Sequence, residues 1–235
     1  MKIEIIGFGE IGKSLSEVYE EKDIQVMIRD LNVNTIIGKV DILNICLPHE
    51  DGFVNTVNNY IQEYLPKLVI IHSTVPVGTT KKISRPVVHS PIRGVHPELK
   101  EGIKRFKKYI GYNNKIDLLL AEEHFTTLGV QTQPIENTDS TELLKLMSTT
   151  YYGLCIAWHG EMKKMCGEYG VDFNAVRDWT LTYNQGYYDM GMQHVVRPNL
   201  VPPEKGIGGH CVMQNTELLM KQFESKAFEL IMEYK

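Results

Sequence analysis

In the first half of the chain, short apolar runs ending at glycine or proline alternate with stretches whose apolar residues recur every three or four positions. Residues 2–6 are rich in isoleucine, stop at Gly7, and read as a buried strand. Ile11, Leu15, Val18 and Tyr19 follow at helical spacing and predict a helix over 11–20. Further strands are expected at 24–28, 40–47 (stopping at Pro48), 68–71, 87–89 and 108–111. Helices are expected at 55–65 and, briefly, at 79–83. Strands alternating with helices imply right-handed crossovers and a mostly parallel sheet covered on both faces, an α/β architecture.

The pattern changes near Gln133-Pro134. Asp139 followed by Glu142 fits an Asp-started capping box. A single long helix is expected from there to about residue 168, ended by Gly170. A second helix should start after Asp172. Residues 197–209 are rich in proline and glycine and predict a loop, and 216–234 reads as a final amphipathic helix. The expectation is therefore an α/β domain over 1–135 and a helical domain over 136–235, with no internal repeat or low-complexity segment.

A chain of 235 residues, 43% hydrophobic and 23% charged, can bury an ample core without a disulfide or metal staple. A net charge of −4 and an isoelectric point of about 6.1 argue against a dedicated nucleic-acid binder. No apolar run is long enough to span a membrane, and the apolar N-terminal run is too short for a signal peptide. Cys46, Cys155, Cys166 and Cys211 form no C-x-x-C pair, so a zinc knuckle or redox dithiol is not expected. A reducing, cytoplasmic setting fits this usage.

Gly7-Phe-Gly-Glu-Ile-Gly12 matches G-x-G-x-x-G between a predicted strand and a predicted helix. Gly7 permits the tight turn, Gly9 leaves room for a pyrophosphate, and Gly12 lets helix and strand approach. The helix N-terminus then offers unpaired N–H groups and a favourable dipole to the diphosphate. Asp30 lies eighteen residues beyond Gly12, where a carboxylate can accept the ribose hydroxyls and repel a 2′-phosphate. That favours NAD over NADP. Arg29 beside it weighs the other way, because an arginine can hold a 2′-phosphate.

Two further stretches carry chemistry. Gly206-Ile-Gly-Gly-His-Cys211 sets three glycines before a cysteine and a helix start. A thiol near a helix N-terminus gains thiolate character and suits nucleophilic catalysis. The alternative is a buried, inert cysteine. Glu142, Lys145 and Thr149 share one face of the long helix. Lys145 could serve as a general acid or oxyanion donor, or else form a solvent-facing ion pair with Glu142.

Taken together, the chain resembles the UDP-glucose/GDP-mannose dehydrogenase family of NAD-dependent nucleotide-sugar dehydrogenases. Four motifs in family order carry the likeness: the glycine loop, Ser73-Thr-Val-Pro-Val-Gly-Thr-Thr80, Thr141-Glu-Leu-Leu-Lys145 and Gly208-Gly-His-Cys211. The fold this implies is a Rossmann-type doubly wound sheet followed by an all-α, 6-phosphogluconate-dehydrogenase-like domain. The activity implied is oxidation of a sugar primary alcohol to a carboxylate with two NAD, through a Cys211 thiohemiacetal and thioester. Lys145 would stabilise oxyanions, and Thr74 would lie near the nicotinamide. Implied cofactor-binding residues are Gly7, Gly9, Glu10, Ile11, Gly12, Asp30, Leu47, Pro48, Ser73 and Thr74. Implied catalytic positions are Cys211, Lys145, Thr149, Asn215, Thr74 and Glu98; no metal is implied. Family members continue into a second Rossmann-like domain that helps hold the nucleotide sugar, so a short form without it is expected here.

Three positions depart from the family pattern. Thr149 replaces its asparagine, Asn215 replaces its aspartate, and Ser90-Pro-Ile92 lacks the glutamate of its Ser-Pro-Glu. His96-Pro-Glu98 offers Glu98 as a substitute. These departures keep two alternatives open. One is a two-electron dehydrogenase of small hydroxy acids, whose relatives share His-Pro but generally lack Gly-Gly-His-Cys. The other is a non-catalytic NAD-binding relative, which Asn215 and Ile92 favour.

The remaining features have plainer readings. Lys100, Lys104, Arg105, Lys107 and Lys108 read as a solvated helix face rather than a phosphate site. Tyr151, Tyr152, Trp158, Trp179, Tyr183, Tyr187 and Tyr188 read as core or dimer packing, and a homodimer through the helical part is expected. His72, His159 and His194 lack metal-ligand spacing and read as structural.

Overall fold

A computed structural model describes the chain except Ile36, Ile37 and His96, and except the side chain of His210. The chain divides into two compact units, Met1–Lys145 and Leu146–Lys235.

The first unit is built on a sheet whose strands run β3-β2-β1-β4-β5-β6-β7-β8. The strands are β1 (Ile3–Ile6), β2 (Val26–Asp30), β3 (Val33–Asn34), β4 (Ile42–Ile45), β5 (Leu68–Ile71), β6 (Val87–His89), β7 (Lys108–Tyr112) and β8 (Thr132–Glu136). The β2-β1-β4-β5-β6 segment is parallel throughout. β3 joins β2, and β7 joins β6, in antiparallel register, while β8 lies parallel to β7. The helices are α1 (Glu10–Glu20), α2 (Phe53–Tyr64), α3 (Leu99–Arg105), α4 (Lys115–Thr127) and the first turns of α5 (Thr138–Tyr169).

β1, β4 and β5 are buried at every position because both sheet faces are covered. Alternate residues feed two cores. Ile3, Ile5 and Ile70 pack with Leu15, Tyr19 and Phe125 on one face. Ile6, Leu43, Ile45, Val69 and Ile71 pack with Val57 and Ile61 on the other. Each such side chain, fully buried, contributes roughly 1.5–3 kcal/mol of transfer free energy. Strand order reverses between β1 and β4, so the ends of these strands flank the crevice where open α/β sheets bind ligands.

In the second unit α5 continues to Tyr169 and stops at Gly170, whose φ is +66°. There follow α6 (Phe173–Asp189), α7 (His210–Met220) and α8 (Lys226–Met232). Asp172 caps α6 by accepting the Asn174 N–H at 3.0 Å. Gly153 and Gly160 let α5 approach its neighbours closely. A Cβ on Gly153 would lie 2.3 Å from Val212, and one on Gly160 would lie 2.5 Å from the Tyr234 ring.

Several expectations are corrected. Residues 80–82 make one 3-10 turn rather than a helix over 79–83. The helix expected at 216–234 is two, broken before Ser225, which caps α8 through the Ala227 N–H. Asp139 does not cap α5. Asn137 Oδ1 accepts the Asp139 N–H at 2.9 Å, and Asp139 pairs with Lys81. The basic run is a solvated face only in part: Lys100 and Lys104 pair with Glu21, whereas Lys108 is buried. Tyr151, Tyr152, Trp158, Trp179, Tyr183 and Tyr188 are exposed, so core packing does not account for them. Among the described residues no helix is long and apolar enough to cross a membrane, and no cluster could hold a metal ion.

Candidate active site

The glycine loop joins β1 to α1, and its three glycines meet three different constraints. Gly7 has φ +91°, and a Cβ there would lie 2.8 Å from the Cys46 carbonyl oxygen. A Cβ on Gly12 would lie 2.0 Å from the Gly7 carbonyl oxygen and 3.3 Å from Ile5. Gly9 faces open space, with nothing within 4 Å of its Cβ position. Two glycines are thus demanded by the fold and the middle one is not. An unobstructed middle glycine at the N-cap of α1 is what a diphosphate needs to reach the helix N-terminus. The loop therefore fits a dinucleotide. Glu10 is exposed and Ile11 half-buried in the first turn of α1. Leu47, whose side chain closes on Gly7, and Pro48 follow β4.

Asp30 ends β2. Its carboxylate accepts the N–H of Phe8, inside the glycine loop, and that of Leu31 at 2.6 Å. These two backbone donors hold its pKa below the ordinary carboxylate value. Arg29 is turned elsewhere. Its guanidinium donates to both Glu63 oxygens at 2.9 Å and to the Tyr64 hydroxyl, and it sits 4.9 Å over the Tyr60 ring.

Beyond β5, the segment 73–80 is tied at both ends. Ser73 donates to the Ile45 carbonyl at 3.4 Å, and its own carbonyl accepts from His89 Nε2 at 3.2 Å. His89 Nδ1 lies 2.8 Å from the Thr141 hydroxyl, and burial pushes the imidazole down to about 3. At the other end the Glu142 carboxylate accepts the N–H groups of Gly78 and Thr80, at 2.6 and 2.7 Å. Thr74, half-buried, lies between these ties. The solvent-facing ion pair expected between Glu142 and Lys145 does not form. Glu142 is buried against the segment after β5, while Lys145 Nζ donates to the Ile92 carbonyl at 2.8 Å. The Ile92 side chain is in the core, and Glu98 is exposed at the N-cap of α3. His96, of the His-Pro pair, lies outside the described residues.

In the second unit Cys211 is the second residue of α7 and is exposed; Gly209, at φ +86°, precedes the helix. Asn215 lies one turn further along α7 and is buried, and Thr149 on α5 is half-buried. The 199–208 loop leading to this cysteine borders an open cavity of about 400 Å³ that also reaches Tyr152 and Ile156. His159 is structural: it accepts the Leu200 N–H at 3.2 Å.

Sequence reasoning missed the Glu142 clamp and the burial of Lys108. Only one signal bore on the first: a carboxylate three residues before a lysine, at the start of a helix next to the sheet.

A mostly parallel, doubly wound sheet with a glycine-loop crevice, followed by a helical unit, makes a Rossmann-type domain with a helical domain after it. Residues 139–233 match the UDP-glucose/GDP-mannose dehydrogenase family, central domain. It is 27% identical over 221 residues to a UDP-N-acetyl-D-mannosamine dehydrogenase of Methanococcus maripaludis, covering 85% of this chain and 49% of that one. It is 28% identical over 227 residues to the enzyme of that name from Methanocaldococcus jannaschii, covering 85% and 50%. The fold superposes on the UDP-D-ManNAc dehydrogenase of Pyrococcus horikoshii with a TM-score of 0.82 at 19% identity, covering 100% of this chain and 68% of that one. The chain spans about half the length of the curated relatives it matches.

Proposed function

We propose that this protein is an NAD-dependent dehydrogenase that oxidises the primary alcohol of a nucleotide-linked sugar. The observation that carries this reading is that Lys145 and Cys211 both fall inside the span matching the family's central domain. The names of the relatives make a UDP-linked N-acetylhexosamine the first substrate to test.

NAD, when bound, supplies the hydride acceptor for each of two oxidations. Gly7, Gly9 and Gly12 admit its diphosphate to the N-terminus of α1, and Asp30 receives its adenosine ribose. Lys145 stabilises negative charge on the reacting oxygen. The Cys211 thiolate adds to the aldehyde carbon, forming a C–S bond and a thiohemiacetal. Loss of a second hydride gives the thioester, and water releases the carboxylate and frees the thiol. The four cysteines are unpaired, which suits a reducing, cytoplasmic setting. The exposed Tyr151, Trp158 and Trp179 support a homodimer through the helical unit. A dimer in sedimentation that Trp179→Glu dissociates is the expected result.

The test counts NADH per sugar consumed across UDP- and GDP-linked sugars. Two per sugar is expected, falling to no acid formation in Cys211→Ala with NAD binding retained. One per sugar, with a carbonyl product, no acid, and a rate unchanged in Cys211→Ala, would refute the covalent route in favour of a two-electron dehydrogenase.

A further inference from the structure

Lys108 opens β7 with its side chain in the interior of the first unit. Its Nζ lies 2.6 Å from the Ser90 carbonyl oxygen, 3.1 Å from that of Pro91 and 3.3 Å from His72 Nδ1. The Phe125 ring lies 5.8 Å away. His72 is equally buried. Its Nδ1 is 2.9 Å from the Ser90 carbonyl oxygen, and its Nε2 is 2.9 Å from Asn44 Oδ1.

Counting donors and acceptors points to the charge of this pair. Asn44 Nδ2 reaches the Glu4 carbonyl oxygen and the Tyr19 hydroxyl, both at 3.1 Å. A carbonyl only accepts, so the Asn44 amide nitrogen must face it and Oδ1 must face His72. His72 Nε2 therefore carries a proton. If the pair held no further proton, the two N–H groups of a neutral Lys108 amine could serve only two of the three acceptors around Nζ, leaving the third facing the amine lone pair. One more proton resolves this: an ammonium at Lys108 donates to Ser90, Pro91 and Nδ1 together. Two more would set an imidazolium N–H against an ammonium in the interior. Burial pulls both groups well below their ordinary values, which opposes the doubly charged state. The charged or titratable groups acting on the pair are Cys46 after β4, His89 on β6, Arg93 in the loop after β6, His124 on α4 and Lys145 on α5.

The carbonyls of Ser90, Pro91 and Ile92 are consecutive. Lys108 takes the first two, and Lys145 takes the third. We infer that Lys108 and His72 share a single buried proton and act as a positioning pair, fixing the 90–92 segment and through it the ammonium of Lys145. The catalytic part of this inference rests on the dehydrogenase reading above.

The test uses the full chain. Nitrogen NMR of labelled histidine and lysine should find one positive charge on the pair across neutral pH: an Nε2–H His72 with charged Lys108, or a doubly protonated His72 with neutral Lys108. Zero or two charges would overturn the proposal. In Lys108→Met, kcat should fall about ten-fold, with KM for NAD unchanged. The titration midpoint of Lys145, followed at its labelled Cε, should move by about half a pH unit or more. His72→Gln can accept from Lys108 and donate to Asn44, so it should retain kcat, whereas His72→Leu should lose it. Wild-type kcat and an unmoved Lys145 midpoint in Lys108→Met would overturn the proposal, as would His72→Gln behaving like His72→Leu. Should Lys108→Met not fold, the His72 pair and the wild-type NMR still decide. Absence of sugar oxidation by the wild type would fell the dehydrogenase reading alone, leaving the charge count and the Lys145 midpoint to judge the pair.

Discussion

The Glu142 carboxylate accepts the backbone N–H of both Gly78 and Thr80, fastening the N-terminal part of α5 to the segment that follows β5. Two N–H groups that would otherwise be buried without partners are satisfied by one side chain. In Glu142→Ala both donors lose their acceptor, and stability should drop by roughly 2–5 kcal/mol. Glu142→Gln should fall between, because its amide oxygen can accept one N–H while its NH2 opposes the other. Urea unfolding of the three proteins measures this. A loss below about 1 kcal/mol in Glu142→Ala would mean that the segment finds other partners.

The glycine loop separates fold from ligand. Gly12→Ala places a methyl 2.0 Å from the Gly7 carbonyl oxygen and should prevent stable folding. Gly9→Ala meets nothing in the protein and should leave the melting temperature within a few degrees of wild type. Its methyl would occupy the approach of the diphosphate, so the Kd for NAD should rise about ten-fold or more. Calorimetric titration of Gly9→Ala with NAD is the check, and unchanged affinity would remove the loop from the cofactor site.

These contrasts explain what could be read from the chain. β1, β4 and β5 were legible because burial on both faces leaves continuous apolar runs. The glycine loop was legible because Gly7 and Gly12 answer to backbone sterics. α4 escaped notice: Ile116 and Leu119 are exposed while Asp117 and His124 are buried, which blurs the helical period. β8 contains Pro134 and has no fully buried position. Glu142 and Lys145 looked like a surface pair because spacing along a helix says which residues share a face, not what that face meets. Lys108 looked like the end of a basic run. Its burial depends on acceptors from residues 90 and 91 and on His72, which only the folded sheet assembles.

Cofactor choice should follow from the neighbours Arg29 and Asp30. Asp30 is held against the glycine loop, and Arg29 is sequestered by Glu63 and Tyr64 on α2. Wild-type protein should bind NAD at least about a hundred-fold more tightly than NADP. Asp30→Ala should narrow that gap, and Asp30→Ala with Glu63→Ala should narrow it further by releasing the guanidinium. Comparable wild-type affinities for the two dinucleotides would contradict this account.

Glu4 predicts a pH dependence of stability. It is buried in the middle of β1 with neither carboxylate oxygen hydrogen-bonded, and burial raises its pKa to about 8. The folded state therefore keeps a proton that the unfolded chain has already released above the ordinary carboxylate pKa. Its contribution is complete below about pH 4.5, declines as pH rises, and is lost once pH passes about 8. Glu4→Gln should melt above wild type at pH 8.5, and the difference should shrink as pH falls towards 5. Parallel melting curves at every pH would show that Glu4 is ionised in the fold.

On the covalent route proposed above, Asn215 bears on the last chemical step. It lies one turn beyond Cys211 on α7, where the family pattern has an aspartate, and an amide cannot take a proton from water. With Asn215, the chain should therefore form its thioester faster than it releases acid. A rapid burst of two NADH per site should precede a slow steady state in quenched-flow measurements. Asn215→Asp restores a carboxylate at that position and should raise the steady rate about ten-fold while leaving the burst rate alone. Because Asn215 is buried, the variant should also lose some stability, to be measured separately by urea unfolding. A wild-type enzyme with no burst, whose rate Asn215→Asp leaves unchanged, would place the base elsewhere. Glu98, exposed at the N-cap of α3, would be the next residue to replace.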